Sequence, residues 1–251
     1  MPAGPRLISG LFLLASLGLT TCAGDAGGPA EEDFAVLFIG NSLTYTNDLP
    51  GMVSDLLQAA SDHDRVVVES IAEPNYGLED HWEDGGTRDR IRRGAWDVVI
   101  FQQGPSATEG RPSLLDYSAR FAPLVREGGG VPALYMVWPD ESRTFDFAGV
   151  RESYLAAATG VDGYFFPAGV AWQEAWKADA SLSLYGPDGF HPSVAGTYLA
   201  AIVIYEQLSS RNAITLGAAP AARYGITENE STLLHAAAHE ANVRYAREPA
   251  E

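Results

Sequence analysis

Ser42, Asp188 and His191 are the side chains whose types and settings could carry chemistry in this chain. Asp188 and His191 stand three apart in Gly186-Pro187-Asp188-Gly189-Phe190-His191-Pro192, close enough for a carboxylate to reach an imidazole and fix one tautomer. An imidazole held in that way can take a hydroxyl proton at neutral pH, and the ionised partner stabilises the imidazolium that forms. Ser42 is placed to supply the hydroxyl. It follows an uninterrupted apolar run, Ala35 to Ile39, that stops at Gly40-Asn41. A serine relieved of its proton attacks acyl carbon, so the chemistry on offer is acyl transfer.

Residues 35–39 have the composition of a buried parallel strand, and Gly40 permits a tight turn behind it. A serine at that point would lie at the carboxyl edge of a sheet, where crevices in α/β folds open. Further strands are expected at 65–71, 96–101, 131–137 and 161–166, each followed by turn-forming or polar residues. Helices are expected between them, from Asp48 to Ala60, Leu78 to Arg93, Ser113 to Val125 and Phe147 to Ala158. Val170 to Lys177 reads as another helix, with Trp172 and Trp176 one turn apart on a packed face. Val194, Tyr198, Leu199, Ile202, Tyr205 and Leu208 mark a long apolar helix that would fix His191 at its amino end. Thr227 and Glu230 form a capping-box pattern opening a last helix to about Arg247. The alternation predicts a three-layer, doubly wound α/β domain over residues 34–251 with about five parallel strands.

The formal charge of −17 across 251 residues, with no basic cluster, argues against nucleic acid as a partner, since phosphate backbones require a cationic face. Residues 1–21 differ from the rest: Arg6 precedes an uncharged apolar stretch from Leu7 to Leu19, the pattern of an export signal. The stretch is short for a membrane span and ends at Leu19-Thr20-Thr21-Cys22, which resembles a bacterial lipobox apart from Thr21. Cys22 is the only cysteine, as expected of a lipidated first residue of a mature chain, so membrane contact is expected only through that anchor. Residues 22–33, rich in Gly, Ala and acid, would be a flexible tether.

Taken together, Gly40-Asn41-Ser42, Gly77 after the second strand, the polar turn Gln102-Gln103-Gly104-Pro105-Ser106 after the third, and Asp188-Gly189-Phe190-His191-Pro192 resemble the four blocks of the SGNH (GDSL-type) hydrolases. The resemblance spans most of residues 34–209 and implies a flavodoxin-like sheet, no cofactor, no metal and a solvent-open serine esterase site. It implies Ser42 as nucleophile, His191 as base and Asp188 as the acid orienting it. The oxyanion hole would combine the N–H groups of Ser42 and Gly77 with a side-chain amide after strand three. There the chain departs from the family: Ser106 stands where the third block has asparagine, which leaves Gln102 or Gln103. Gln102 is favoured because the strand leads directly into it. Asn41, in place of the usual aspartate, would hold the loop. The implied substrate is a small acyl ester, with O-acetyl groups on carbohydrate the foremost expectation. A lysophospholipase or lipid esterase is the second reading, and a non-catalytic carbohydrate-binding surface lipoprotein the third.

Other residues carry weaker signals. His81, which follows Gly77, and Trp138 and Asp140, at the end of the fourth strand on the same edge, are candidates, with Asn41, for substrate contact. His235 and His239, four apart with Glu240 nearby, have a metal-like spacing, but further ligands are lacking and a packed helix face is expected. His63, between two aspartates, reads as a surface turn.

Overall fold

The computed structural model describes residues 33–60 and 65–245. The expected export signal and tether, with Cys22, His63 and Arg247, lie outside the described residues. Five strands form one sheet: β1 (Phe34–Gly40), β2 (Val66–Ala72), β3 (Val98–Phe101), β4 (Val131–Tyr135) and β5 (Tyr164–Phe166). Every pairing is parallel, in the order β2-β1-β3-β4-β5. Ala35 to Ile39 are shielded from solvent on both faces, which explains why β1 reads as a continuous apolar run rather than an alternating one.

The helices are α1 (Ser42–Tyr45), α2 (Leu49–Ala60), α3 (Leu78–Asp84), α4 (Gly86–Arg93), α5 (Arg111–Glu127), α6 (Phe147–Gly160), α7 (Ala168–Ala178), α8 (Val194–Ser209), α9 (Ala219–Ala222) and α10 (Glu228–Arg244). α2, α7, α8 and α10 pack together on one face of the sheet, and α3 to α6 on the other. The strand order explains the division. The chain steps from β1 outward to β2, then returns across β1 to β3, and a right-handed crossover must change face when the direction of travel reverses. That reversal lies between β1 and β3. Their carboxyl ends are adjacent, with Ile39 opposite Phe101 and the Gln102 N–H donating to the Ile39 carbonyl at 2.8 Å, so the crevice of a doubly wound sheet opens there.

The doubly wound, five-strand parallel architecture is the one expected, with local differences. The helix expected over 78–93 is two, because Gly85 takes φ +79° and breaks the hydrogen-bond ladder between α3 and α4. β3 begins at Val98 rather than Trp96, whose indole N–H turns aside to the Arg90 carbonyl at 3.1 Å. β5 is shortened to three residues by the turn at Asp162, with φ 47°. A single hydrophobic cluster joins the sheet to both helical layers.

Candidate active site

β1 delivers its last residue into a tightly packed corner. A Cβ on Gly40 would stand 2.3 Å from Thr44 Oγ1 and 2.5 Å from Gln102 Oε1, so only glycine fits. Asn41 caps α1: its Oδ1 accepts from the Leu43 N–H at 3.1 Å, and its Nδ2 donates to the Tyr76 carbonyl at 2.9 Å. Ser42 is the first residue of α1 and partly exposed. Among the described residues neither its N–H nor its hydroxyl has a partner. Beneath it lies Gln102, fully buried. Its Oε1 accepts from the Asn41 N–H at 3.0 Å and the Thr44 hydroxyl at 2.7 Å, and its Nε2 donates to Asn41 Oδ1 at 3.0 Å and to the Gln103 carbonyl.

The second half of the site is the loop before α8. His191 Nδ1–H donates to Asp188 Oδ2 at 2.6 Å, which leaves Nε2 as the nitrogen with a free lone pair. Asp188 Oδ1 accepts the N–H groups of Phe190 (3.0 Å) and His191 (2.9 Å). The hydrogen bond from His191, followed by that from the Phe190 N–H, holds the Asp188 carboxyl down at about 2. The loop is closed by Gly186 N–H to the His191 carbonyl at 2.7 Å and by Ser193 N–H to the Leu184 carbonyl at 2.8 Å. Ser193 then caps α8 through its hydroxyl, which accepts from the Gly196 N–H at 3.1 Å. From the β4 side, Trp138 Nε1 donates to the Phe190 carbonyl at 3.0 Å and Glu141 N–H to the Gly189 carbonyl at 2.8 Å.

Two features link the halves, although Asp188 and His191 are not themselves among the residues lining the Ser42 crevice. Phe190, from the histidine loop, lines the same crevice of about 400 Å³ as Asn41, Ser42, Gly77 and Gln103. Asn47, in the turn after α1, donates through Nδ2 to the Pro192 carbonyl (3.0 Å) and to Thr197 Oγ1 (2.9 Å). Gln103 also lines the crevice: its Oε1 accepts from the Leu78 N–H at 3.2 Å while its Nε2 donates to Ser106 Oγ (2.8 Å) and the Gly110 carbonyl (3.0 Å). Gly77, the residue before α3, donates its N–H to Asp80 Oδ2 at 2.8 Å.

Several sequence expectations need correction. Gln102, favoured over Gln103 as a crevice amide, is sealed under the Ser42 loop with its carboxamide fully engaged, whereas Gln103 faces the crevice. His81 does not line the cleft. It is buried, with Nε2 donating to the Gly40 carbonyl at 2.8 Å and Nδ1 facing Thr87 Oγ1 at 3.2 Å, and burial holds its pKa below the usual value. Trp138 is also buried, stacked on Trp172 at 3.7 Å, so it supports the histidine loop from behind instead of meeting substrate. Asp140 caps the short helical turn Glu141–Asp146 by accepting from the N–H and hydroxyl of Ser142, and it is absent from the crevice wall. His235 and His239, by contrast, need no correction: as expected of a packed helix face they take separate partners, the Tyr198 hydroxyl at 3.2 Å and Glu206 Oε1 at 2.6 Å.

Asn47, Asp80 and Tyr154 were not singled out from sequence. Tyr154, buried on α6, clamps the end of β3 by donating to the Gln103 carbonyl at 2.6 Å and accepting the Gln103 N–H at 3.1 Å. A tyrosine on a helix face carries no sequence mark of that role. Asn47-Asp48 ahead of a helix does carry the mark of a left-handed turn.

No family model matches the chain, and no curated protein does. Solved structures do. A candidate SGNH hydrolase from Slackia heliotrinireducens is 25% identical, with a TM-score of 0.60 over 70% of this chain and 99% of its own. A DUF4886 family protein from Bacteroides uniformis is 18% identical, with a TM-score of 0.71 over 86% of this chain and 96% of its own. An acetylxylan esterase from Geobacillus stearothermophilus, at 20% identity, has a TM-score of 0.52 over 71% of this chain and 94% of its own. The five-strand parallel sheet with its flanking helices is the α/β fold that this chain shares with these neighbours, the Slackia SGNH hydrolase candidate among them.

Proposed function

We propose that the chain is a serine esterase that removes small acyl groups, foremost O-acetyl groups from carbohydrate, through an acyl-enzyme on Ser42. The observation that carries the reading is the Asp188–His191 couple, 2.6 Å apart, on a loop whose Phe190 walls the crevice holding the unpartnered Ser42 hydroxyl. His191 Nε2 takes the Ser42 proton as Oγ attacks the ester carbonyl, and Asp188 stabilises the imidazolium. The proton then passes to the leaving alcohol. Water, activated by the same nitrogen, releases the acid and restores Ser42.

The tetrahedral oxyanion is received by the Ser42 N–H, which has no competing acceptor among the described residues. Gly77 N–H and Gln103 Nε2 flank the same crevice as further donors, once Asp80 and the Ser106–Gly110 pair release them. The lining favours a small acyl group. The crevice is mixed: Asn41, Asn75, Asp80, Gln103 and Ser106 interrupt the apolar surface of Tyr76, Pro105 and Phe190, and at about 400 Å³ it suits a small acyl group better than the long chain of a lysophospholipid. The acidic groups Glu79 and Asp80, with no cation on the wall, disfavour anionic substrates. Similarity to an acetylxylan esterase, and to a lipase/acylhydrolase from Enterococcus faecalis at 13% identity and a TM-score of 0.55, agrees with ester chemistry on this fold.

The test compares wild type with Ser42→Ala on p-nitrophenyl acetate, a long-chain p-nitrophenyl ester and acetylated polysaccharides. Acetate release that is lost in the variant supports the reading. Full turnover without Ser42, or preference for the long chain, overturns it, and glycan binding without acetate release favours the carbohydrate-binding lipoprotein. Export and lipid attachment through Cys22 belong to the same proposal: Cys22→Ala should move the protein from the membrane to the soluble extracytoplasmic fraction.

A further inference from the structure

A second cavity, of about 440 Å³, shares no lining residue with the Ser42 crevice and reaches the histidine loop at Tyr185 and Gly186. It runs between the helical turn Glu141–Asp146 and the segment 180–186. Its floor is aromatic. Trp176 and Tyr185 stack with ring centres 5.7 Å apart and planes at 30°, and both also meet the buried Trp172 edge-on. The two rings are fixed in place before any ligand arrives. Trp176 Nε1 donates to the Leu182 carbonyl at 2.9 Å, and the Tyr185 hydroxyl donates to the Pro139 carbonyl at 2.7 Å. Unlike Trp138 and Trp172 behind them, Trp176 and Tyr185 are only partly buried.

The rim is polar and unengaged. The carboxylate of Glu141 and the hydroxyls of Thr144 and Ser183 have no side-chain partner among the described residues, although all three border the cavity. Rigid aromatic surface beside free hydroxyl and carboxylate oxygens suits a ligand with C–H faces to lay on rings and hydroxyls around its edge. A pyranose or furanose unit has both. An acyl chain would leave the rim unsatisfied, and an anionic ligand would meet Glu141 with no cation in the lining.

We propose that this cavity is a subsite for a neutral saccharide unit of the glycan that the enzyme deacylates. The groove is continuous with the catalytic loop. Tyr185 bridges to Pro192, Gly186 N–H donates to the His191 carbonyl, and the Glu141 N–H holds the Gly189 carbonyl. A sugar seated there therefore packs on the same segment that carries Asp188 and His191. The proposal rests on the esterase reading only in naming the glycan as substrate.

Xylotetraose, cellotetraose, mannotetraose and tetragalacturonate are titrated into the intact Ser42→Ala protein, with binding followed by calorimetry and tryptophan fluorescence. The expected result is binding of at least one neutral tetramer with a change in tryptophan emission, and none of tetragalacturonate. Ser183→Trp, which fills the groove, and Glu141→Gln should each weaken that binding at least tenfold. In the Ser42 background the same two substitutions should raise KM on the acetylated oligosaccharide by a similar factor and leave p-nitrophenyl acetate hydrolysis within twofold. Absence of binding by every neutral tetramer at ~10 mM, equal binding by Ser183→Trp, or tighter binding of tetragalacturonate overturns the proposal. Hydrolysis of p-nitrophenyl acetate is read separately. Its dependence on Ser42 stands or falls whatever the groove binds, so failure of the subsite and failure of the esterase reading give different patterns.

Discussion

Replacing Asn47 by glycine separates the backbone of the Ser42 loop from its link to the histidine loop. Asn47 sits at φ 55°, ψ 19°, in the left-handed region, where glycine is at least as comfortable, so Asn47→Gly leaves the turn intact. What it removes are the two Nδ2 hydrogen bonds, to the Pro192 carbonyl at 3.0 Å and Thr197 Oγ1 at 2.9 Å. Neutral hydrogen bonds are worth about 0.5–1.5 kcal/mol each. Asn47 is itself exposed, so water replaces part of the loss at Pro192, while Thr197 keeps its own bond to the Ser193 carbonyl at 3.1 Å. The net loss is then about 1–2 kcal/mol. If that restraint aligns His191 with Ser42, the full loss appears in the barrier, a fall in kcat of about 5- to 30-fold. KM should change little, because Asn47 does not line the crevice. The assay is steady-state hydrolysis of p-nitrophenyl acetate, paired with the rate at which a fluorophosphonate labels Ser42, which reports activation of the hydroxyl without substrate binding. Asn47→Asp, which tolerates the same backbone but cannot donate, should lose a similar factor. A lowered melting temperature with unchanged kcat and labelling rate would refute the reasoning and leave Asn47 as a structural tie only.

The two glutamines should part in their effects. Gln103→Ala, removing a crevice amide, is expected to lower kcat by about 10²–10³, whereas Gln102→Ala should show first as a fall in melting temperature, since Asn41 and Thr44 lose their buried acceptor. Asp80→Ala frees the Gly77 N–H and removes a carboxylate from beside the developing oxyanion, so kcat should rise, and a fall would argue against Gly77 as a donor. Stability should also drop on mild acidification. Burial, opposed by a bond to the Gly40 carbonyl for His81 and to the Leu216 carbonyl for His235, lowers both pKa values from 6.5 in the folded chain. The unfolded chain therefore binds more protons below about 6.5, and stability rises with pH through that window. Calorimetric melting should fall between pH 7.5 and 5.5, and His235→Phe should flatten the slope. Asp188, depressed to about 2, acts further down: its contribution is present above the ordinary carboxylate range and lost as pH falls toward about 2.

What could be read from the sequence was whatever the chain writes locally. The buried run Ala35–Ile39, the stop at Gly40, the capping box at Thr227 and the Asp188–His191 spacing each depend on neighbours a few residues away, and each has its expected counterpart in the structure. What could not be read depends on residues distant in sequence meeting across the sheet. Gln102 and Gln103 are adjacent and chemically identical, yet a strand alternates its faces, so one amide points down to Asn41 and Thr44 and the other sideways to Leu78, Ser106 and Gly110. Only the packing of α1 against β3's end decides which. His81 and Trp138 misled for the same reason. Each comes soon after a segment expected at the sheet's carboxyl edge, but each has a hydrogen-bonding group that the fold needs inside, His81 for the Gly40 carbonyl and Trp138 for that of Phe190. Large aromatic and imidazole groups near a site are thus as apt to be the scaffold of its backbone as its contact surface. Here the polar groups that hold the Ser42 loop and the histidine loop, Gln102 under Ser42 and Trp138 behind Phe190, are more deeply buried than the groups they hold, Ser42 and His191. Precision in the exposed pair then depends on side chains that substrate never touches, which is why Trp138→Phe, keeping the ring but not its N–H, should impair turnover while leaving the core intact.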